Sequence, residues 1–264
     1  MRASLARRSA VAASAVSLAL LVTACGSEKT TGGDEGAKGD KGAVADAGSA
    51  KALTAAELEK AIIAQGDVDG YKVQQPGAAD RVPAEQVTVD KAACQPLAHA
   101  VYAVALGEPK ATVGRKVVQE PKKGDKPSLG DLSEKELEDA VASAFDLTST
   151  MVSLASYEGK GADEAVASLR KAAGECAGGF TLKLAGEAQK VLKVEELKVS
   201  GGQEAAGWTV LTQQEGGTMP LKVAVVRQGS TLASFSVVNF GAAGSGKDYD
   251  LPTAVIDAQV GKLG

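Results

Sequence analysis

Three cysteines, a lone histidine and a few short motifs are the places where this 264-residue chain could do chemistry. Gly241-Ala242-Ala243-Gly244-Ser245-Gly246-Lys247 fills the first seven positions of a phosphate-binding loop and follows an expected strand. The eighth position should be Ser or Thr, to ligate magnesium, and is Asp248, whose carboxylate repels phosphate. A connecting loop is the simpler reading. Ser168-Leu169-Arg170-Lys171 has the S-x-x-K spacing of penicillin-binding enzymes, but the sequence contains neither S-D-N nor K-T-G. No G-x-S-x-G occurs, and any Ser-His-Asp site would need His99, which sits in an Ala-rich segment and reads as a surface or satisfied residue. Asp67-Val68-Asp69-Gly70 begins like a calcium loop, lacks the later ligands, and reads as a turn. Tyr71 and Trp208 could line a pocket, although Trp208 on an alternating strand reads as core. No catalytic residue, metal ligand or cofactor-binding residue is assigned.

Cys25 is different, because its setting specifies a modification. Arg2, Arg7 and Arg8 form a positive leader, and residues 10–22 are 13 uncharged, mostly apolar positions. That run is short of the roughly 20 residues a membrane-spanning helix needs, and has signal-peptide anatomy. Leu21-Val22-Thr23-Ala24-Cys25 resembles the bacterial lipobox. The resemblance implies a diacylglyceryl group on Cys25, cleavage before it, and a freed amine open to acylation. One acyl chain holds a protein marginally and two hold it stably. Arg7-Arg8 also carries a hint of twin-arginine export. Residues 1–24 are thus expected to be a lipoprotein signal peptide, with the protein anchored at the outer face of the plasma membrane.

Outside the cytoplasm the remaining pair, Cys94 and Cys176, is expected to form a disulfide closing a long loop. Two buried free thiols are the alternative. A redox-active pair is disfavoured by the lack of C-x-x-C.

Positioning elements can be read from Leu53 onward. Residues 25–52 comprise the lipidated Cys and a Gly-, Ala- and charge-rich tether, which cannot bury enough apolar surface to fold; as a coil it would span on the order of 30 Å. Thr54 and Glu57 make a capping box and Leu53 with Leu58 a hydrophobic staple, predicting a helix that stops near Gly66. Leu132-Ser133-Glu134-Lys135-Glu136-Leu137 repeats the device, and Leu137, Val141, Ala144, Thr148 and Val152 predict a helix to about Ala155. Further helices are expected over about Pro96–Leu106, Asp163–Cys176 and Pro252–Leu263. Strands are expected at Tyr71–Gln74, Val113–Gln119, Phe180–Leu184, Val191–Val199, Trp208–Gln213, Leu221–Val225 and Leu232–Phe240, the last two joined by a turn at Gln228-Gly229. The Pro/Gly/Lys-rich stretch 120–130 is a candidate separator of two lobes. The fold class is α+β: an antiparallel sheet formed mainly by the C-terminal half, packed with about five helices and clipped by one disulfide.

Composition narrows the function. Asp and Glu exceed Lys and Arg by 33 to 29, for a formal charge of −4. Loss of the leader, with three arginines and no carboxylate, leaves 240 residues at −7, so lipid and not charge must hold the chain to an anionic membrane. An acidic balance with nine aromatics (4 Phe, 4 Tyr, 1 Trp) argues against nucleic acid as a partner and weakens a sugar-platform reading.

The lipobox and tether, the Cys94-Gln95-Pro96-Leu97 segment with a distant helical Cys, the hairpin around Val225-Val226-Arg227-Gln228-Gly229 and a closing helix together resemble the PknH-like extracellular sensor domain, over about Leu53–Gly264. That family occurs on mycobacterial receptor kinases and in actinobacterial lipoproteins. The resemblance implies a cleft for an extracytoplasmic ligand; the lone histidine and the few aromatics argue against catalysis. The kinase representative has two disulfides; this chain has cysteines for one. The expected function is a lipid-anchored extracytoplasmic binding or sensor-type lipoprotein whose partner is a small molecule or an envelope protein. Alternatives are an envelope structural or chaperone-like lipoprotein and an unfamiliar extracytoplasmic enzyme.

Overall fold

The computed structural model describes residues 51–121, 133, 146–243 and 245–264, all within one compact unit spanning 45–264. Nine strands form one sheet: β1 (Tyr71–Gln74), β2 (Val87–Val89), β3 (Ala111–Gln119), β4 (Thr148–Ser156), β5 (Phe180–Leu184), β6 (Glu187–Leu197), β7 (Glu204–Gln214), β8 (Gly217–Gln228) and β9 (Thr231–Asn239). Their order is β1-β3-β4-β9-β8-β7-β6-β5-β2, and every pairing is antiparallel. The fold is therefore α+β, as the pattern of elements predicts.

Among the described residues, four α-helices, α1 (Ala55–Ala61), α2 (Gln95–Val101), α3 (Gly161–Glu175) and α4 (Thr253–Gly261), cover both faces. One core joins α2 and α3 to Leu182, Trp208, Val223 and Val225; the other joins α1 and α4 to Val152, Leu154, Ala224 and Phe235. Strand β8 serves both cores, which is why Val223-Ala224-Val225-Val226 is an unbroken apolar run: each residue is fully buried, on alternating faces.

Local signals explain the elements. Thr54 accepts from the Glu57 amide while the Glu57 carboxylate accepts from the Thr54 amide, the predicted box. The helix ends at Ala61, ahead of Gly66, because Gln259 of α4 caps it. The Gln259 side chain accepts from Ile63 N at 2.8 Å and donates to Ala61 O at 2.9 Å. The Cys94–Cys176 disulfide is present, with Cα atoms 5.9 Å apart, and joins the start of α2 to the end of α3. It settles the two-thiol alternative in favour of the bridge. Gly229 (φ +57°) supplies the left-handed residue of the β8–β9 turn.

The long helix expected up to Ala155 is overturned at its C-terminal end: Thr148–Ser156 is strand β4, between β3 and β9. The marker residues 144, 148 and 152 repeat every four positions, a spacing that also keeps one face of a strand. β-branched Thr148, Thr150 and Val152 decide for the strand. The earlier part of that expected helix lies outside the described residues, Ser133 apart. The helix expected at Pro96–Leu106 stops at Val101, and the three-residue strand β2 has no counterpart among the expected strands. No lobe boundary separates β3 from β4, which pair over eight residues from Ala111↔Ser156 to Val118↔Ser149.

Lys51 and Gly264, the first and last described residues, lie at one end of the sheet. Leu53 N donates to Ser156 Oγ at 2.8 Å and Ser230 Oγ donates to Lys51 O at 3.2 Å, fixing the entering chain beside the β8–β9 turn. At the other terminus, a methyl added to Gly264 would lie 3.9 Å from Gln228 Nε2 of the same turn.

Candidate functional site: a two-part cleft beside Tyr102

β1 and β2 occupy opposite edges of the sheet, so residues 75–86 must cross from one edge to the other as a strap. Proline ends β1: continuing its register puts Pro76 opposite Gly114, and Pro76 has no N–H to donate. The Gly114 carbonyl accepts instead from Arg115 Nη1 at 2.8 Å. The strap is then pinned by Asp80, whose carboxylate takes the Lys116 ammonium and the Gly77 amide. Those bonds, Lys116 first, hold the Asp80 carboxyl below the ordinary carboxylate range.

Between strap and sheet lies a cavity of about 380 Å³. Its floor is Thr112 and Gly114 of β3 with Met151 and Ser153 of β4; its other wall is the segment Tyr102–Ala105 leaving α2. Ala103 has φ +55°, a left-handed conformation that costs a non-glycine residue on the order of 1 kcal/mol and turns the chain off the helix. A second cavity, about 870 Å³, lies where β5–β6 and β7–β8 turn, lined by Gln189, Lys190, Gln213 and Gln214. Tyr102 lines both. Its hydroxyl donates to Gln189 Oε1 at 3.0 Å, and burial pushes its pKa up, so the phenol stays protonated and neutral.

The residues that could do chemistry on sequence grounds are not gathered here. His99 is half-buried on α2, 2.6 Å from Gln95 Nε2; burial lowers its pKa and keeps the ring neutral, a satisfied structural residue. Ser168 Oγ donates to Ala165 O and Lys171 pairs with Glu175, so no Ser–Lys dyad forms. Asp67 accepts from Ala64 N and Lys262 in a turn between α1 and β1. Trp208 is core. Tyr71 is half-buried against the other core, and desolvation raises its pKa.

The phosphate-loop mimic turns its backbone inward. Gly246 N donates to Thr218 O and Ala242 O, Lys247 N to Ser245 Oγ, and no helix follows directly. Asp248 instead pairs at 2.8 Å with Lys222, a side chain only 2% exposed, under the Tyr249 ring 4.9 Å away. Among the described residues no group of three or more His, Cys, Asp or Glu could hold a metal, and no helix is long and apolar enough to cross a membrane. Cys25 lies outside the described residues.

Tyr102, Gln189 and Gln259 are missed by sequence reasoning. Each acts through a partner 87 or more residues away, and no local spacing announces such a contact.

A single antiparallel sheet covered on both faces is an architecture this chain shares with a solved extracellular domain. The extracellular domain of PknH from Mycobacterium tuberculosis aligns at a TM-score of 0.50 and 13% identity, over 81% of this chain and 98% of that one. An uncharacterised Mycobacterium smegmatis protein, an Rv0999 ortholog, aligns more loosely at a TM-score of 0.31 and 13% identity, over 79% of this chain and 94% of that one. No family model and no curated protein matches the sequence.

Proposed function

We propose that this chain is an extracytoplasmic sensor-type binding protein without catalysis of its own, held at the outer face of the plasma membrane by lipid on Cys25. The observation that carries the reading is the shared fold, which spans nearly the whole of an extracellular domain. The lipobox ending at Cys25 and the Gly-rich segment after it support the anchoring. The cleft beside Tyr102 is the proposed binding surface. Its lining mixes amides, hydroxyls and apolar side chains with charged groups, of which Glu59 and Asp80 are ion-paired, a surface that suits equilibrium binding.

Two measurements test this. Cys25→Ala should move the protein from the membrane fraction to the soluble fraction; retention in the membrane would overturn the lipid anchor. Native mass spectrometry of the protein purified from its source should show a co-purifying molecule lost on Tyr102→Ala. A mass equal to the bare polypeptide before and after that change would overturn binding at this cleft.

A further inference from the structure

The sheet has two outer edges, β1 and β2, and each is met by the side-chain amide of a glutamine. The Glu120 amide donates to Gly70 O, so Gly70, Lys72 and Gln74 turn their backbone groups toward β3 while Tyr71 and Val73 turn theirs outward. Gln65 meets that outer row. Its side chain accepts from Val73 N at 2.8 Å and donates to Tyr71 O at 3.4 Å. These two groups flank Lys72, as the pair taken by one residue of a parallel neighbour strand would. At the other edge, Gln95 Nε2 donates to Val87 O of β2 at 2.6 Å. We propose that the outer edge of β1 is a latent interface for a second copy of this chain, and that Gln65 keeps it closed by standing in for one more strand.

Local bonds put Gln65 there. Asp67 N donates to Ala64 O and Ala64 N to the Asp67 carboxylate, which also takes the Lys262 ammonium. The turn that carries Gln65 is thereby tied to the end of α4, and the guard needs no moving part.

The edge beneath it is self-complementary. Two antiparallel copies of β1, related by a two-fold axis at Lys72, set Tyr71 opposite Val73 of the second copy, twice over. Each such pair exchanges two backbone hydrogen bonds, and the two pairs use every outward group of β1. Tyr71 and Val73 both belong to the core under α1 and α4, so ring and valine would adjoin across the junction as a favourable cross-strand pair. Lys72 is exposed and would meet its own copy at the axis, where like charges oppose pairing. A covered edge and a lysine at its centre both act against edge-to-edge association. Self-pairing here needs neither the cleft nor the lipid anchor.

The test uses the full chain with Cys25→Ala, which removes the one cysteine outside the disulfide, and Lys72→Cys, which places a thiol at the axis. Residues directly opposite at such a position have Cα atoms about 4.5 Å apart, a separation that a disulfide spans. Gln65→Ala, at an exposed position, should raise the rate of covalent dimer formation under mild oxidation about tenfold over the same chain with Gln65, as expected when a competing hydrogen-bond partner is lost. Equal rates would overturn the guard. Lys193→Cys in place of Lys72→Cys puts the thiol on an exposed residue of β6 and should dimerise at one rate with either residue at position 65. A rise there matching that at position 72 would mean general association and overturn the edge assignment. Sedimentation equilibrium reads the same edge without an introduced thiol. Gln65→Ala mixed with Gln65→Ala/Lys72→Glu should associate several-fold more tightly than either alone, because opposite charges then meet at the axis. Equal affinities in mixed and separate samples would overturn the two-fold register.

Discussion

Gln259 shows how much one side chain can hold in this molecule. It is fully buried, and its amide satisfies Ile63 N–H and Ala61 C=O at the end of α1. Gln259→Leu should cost about 1–3 kcal/mol, because both backbone groups are left unpaired in the core; urea unfolding with an unchanged m-value would measure it. Lys222 presents the opposite case. Its ammonium is 2% exposed while its partner Asp248 is 79% exposed, so the pair gives up hydration on one side only. Lys222→Met should change stability by no more than about 1 kcal/mol, since an apolar side chain of similar length can replace a buried ion pair. Acid should act through Asp67 and Asp80. Lysine and backbone hydrogen bonds hold both below their ordinary value of 3.8 in the folded chain. Their stabilisation is present above that value and lost as pH falls through the folded pKa. Urea midpoints should therefore stay level from about pH 7 to 5 and fall below about pH 4, with a shallower fall in Asp80→Asn.

At the scale of elements, the disulfide is the strongest local constraint. Cys94 and Cys176 are buried and 82 residues apart, and the chain-entropy account gives about 4.5 kcal/mol for a loop of that length. The double Cys→Ala variant should melt on the order of 10 °C lower by calorimetry. Legibility in the sequence also varied by element. α1 was readable because its signals, Thr54 with Glu57 and Leu53 with Leu58, lie within five residues. Its early stop was not, since the cap comes from a residue 198 positions away. β4 was misread because a repeat of four fits helix and strand alike. β2 is too short to show a period. His99, Ser168 and Lys171 make local contacts with Gln95, Ala165 and Glu175, partners that lie within four residues of each. The cleft was invisible, because Tyr102, Gln189 and Pro76 are ordinary residues until the sheet order brings their segments together.

At the scale of the whole molecule, sequential strands follow one another from β3 to β4 and again from β5 to β9, but the first two strands take the far edges. The 75–86 strap ties those edges together, and Pro76 ends β1 where its missing N–H would have met Gly114 of β3. Pro76→Ala should restore a donor opposite Gly114 and lengthen β1; amide exchange along β3 would report it as slower exchange near Gly114.

The placement of Lys51 and Gly264 beside the β8–β9 turn has a mechanical meaning. A pull arriving through Lys51 is received by Ser230 and Ser156, at the ends of β9 and β4, and is directed along those strands. Ser156 and Ser230 lie at the same end of the paired strands β4 and β9, so the two contacts share the load at one point of the sheet. The turns between β5 and β6 and between β7 and β8 lie at the opposite end of the sheet from Lys51.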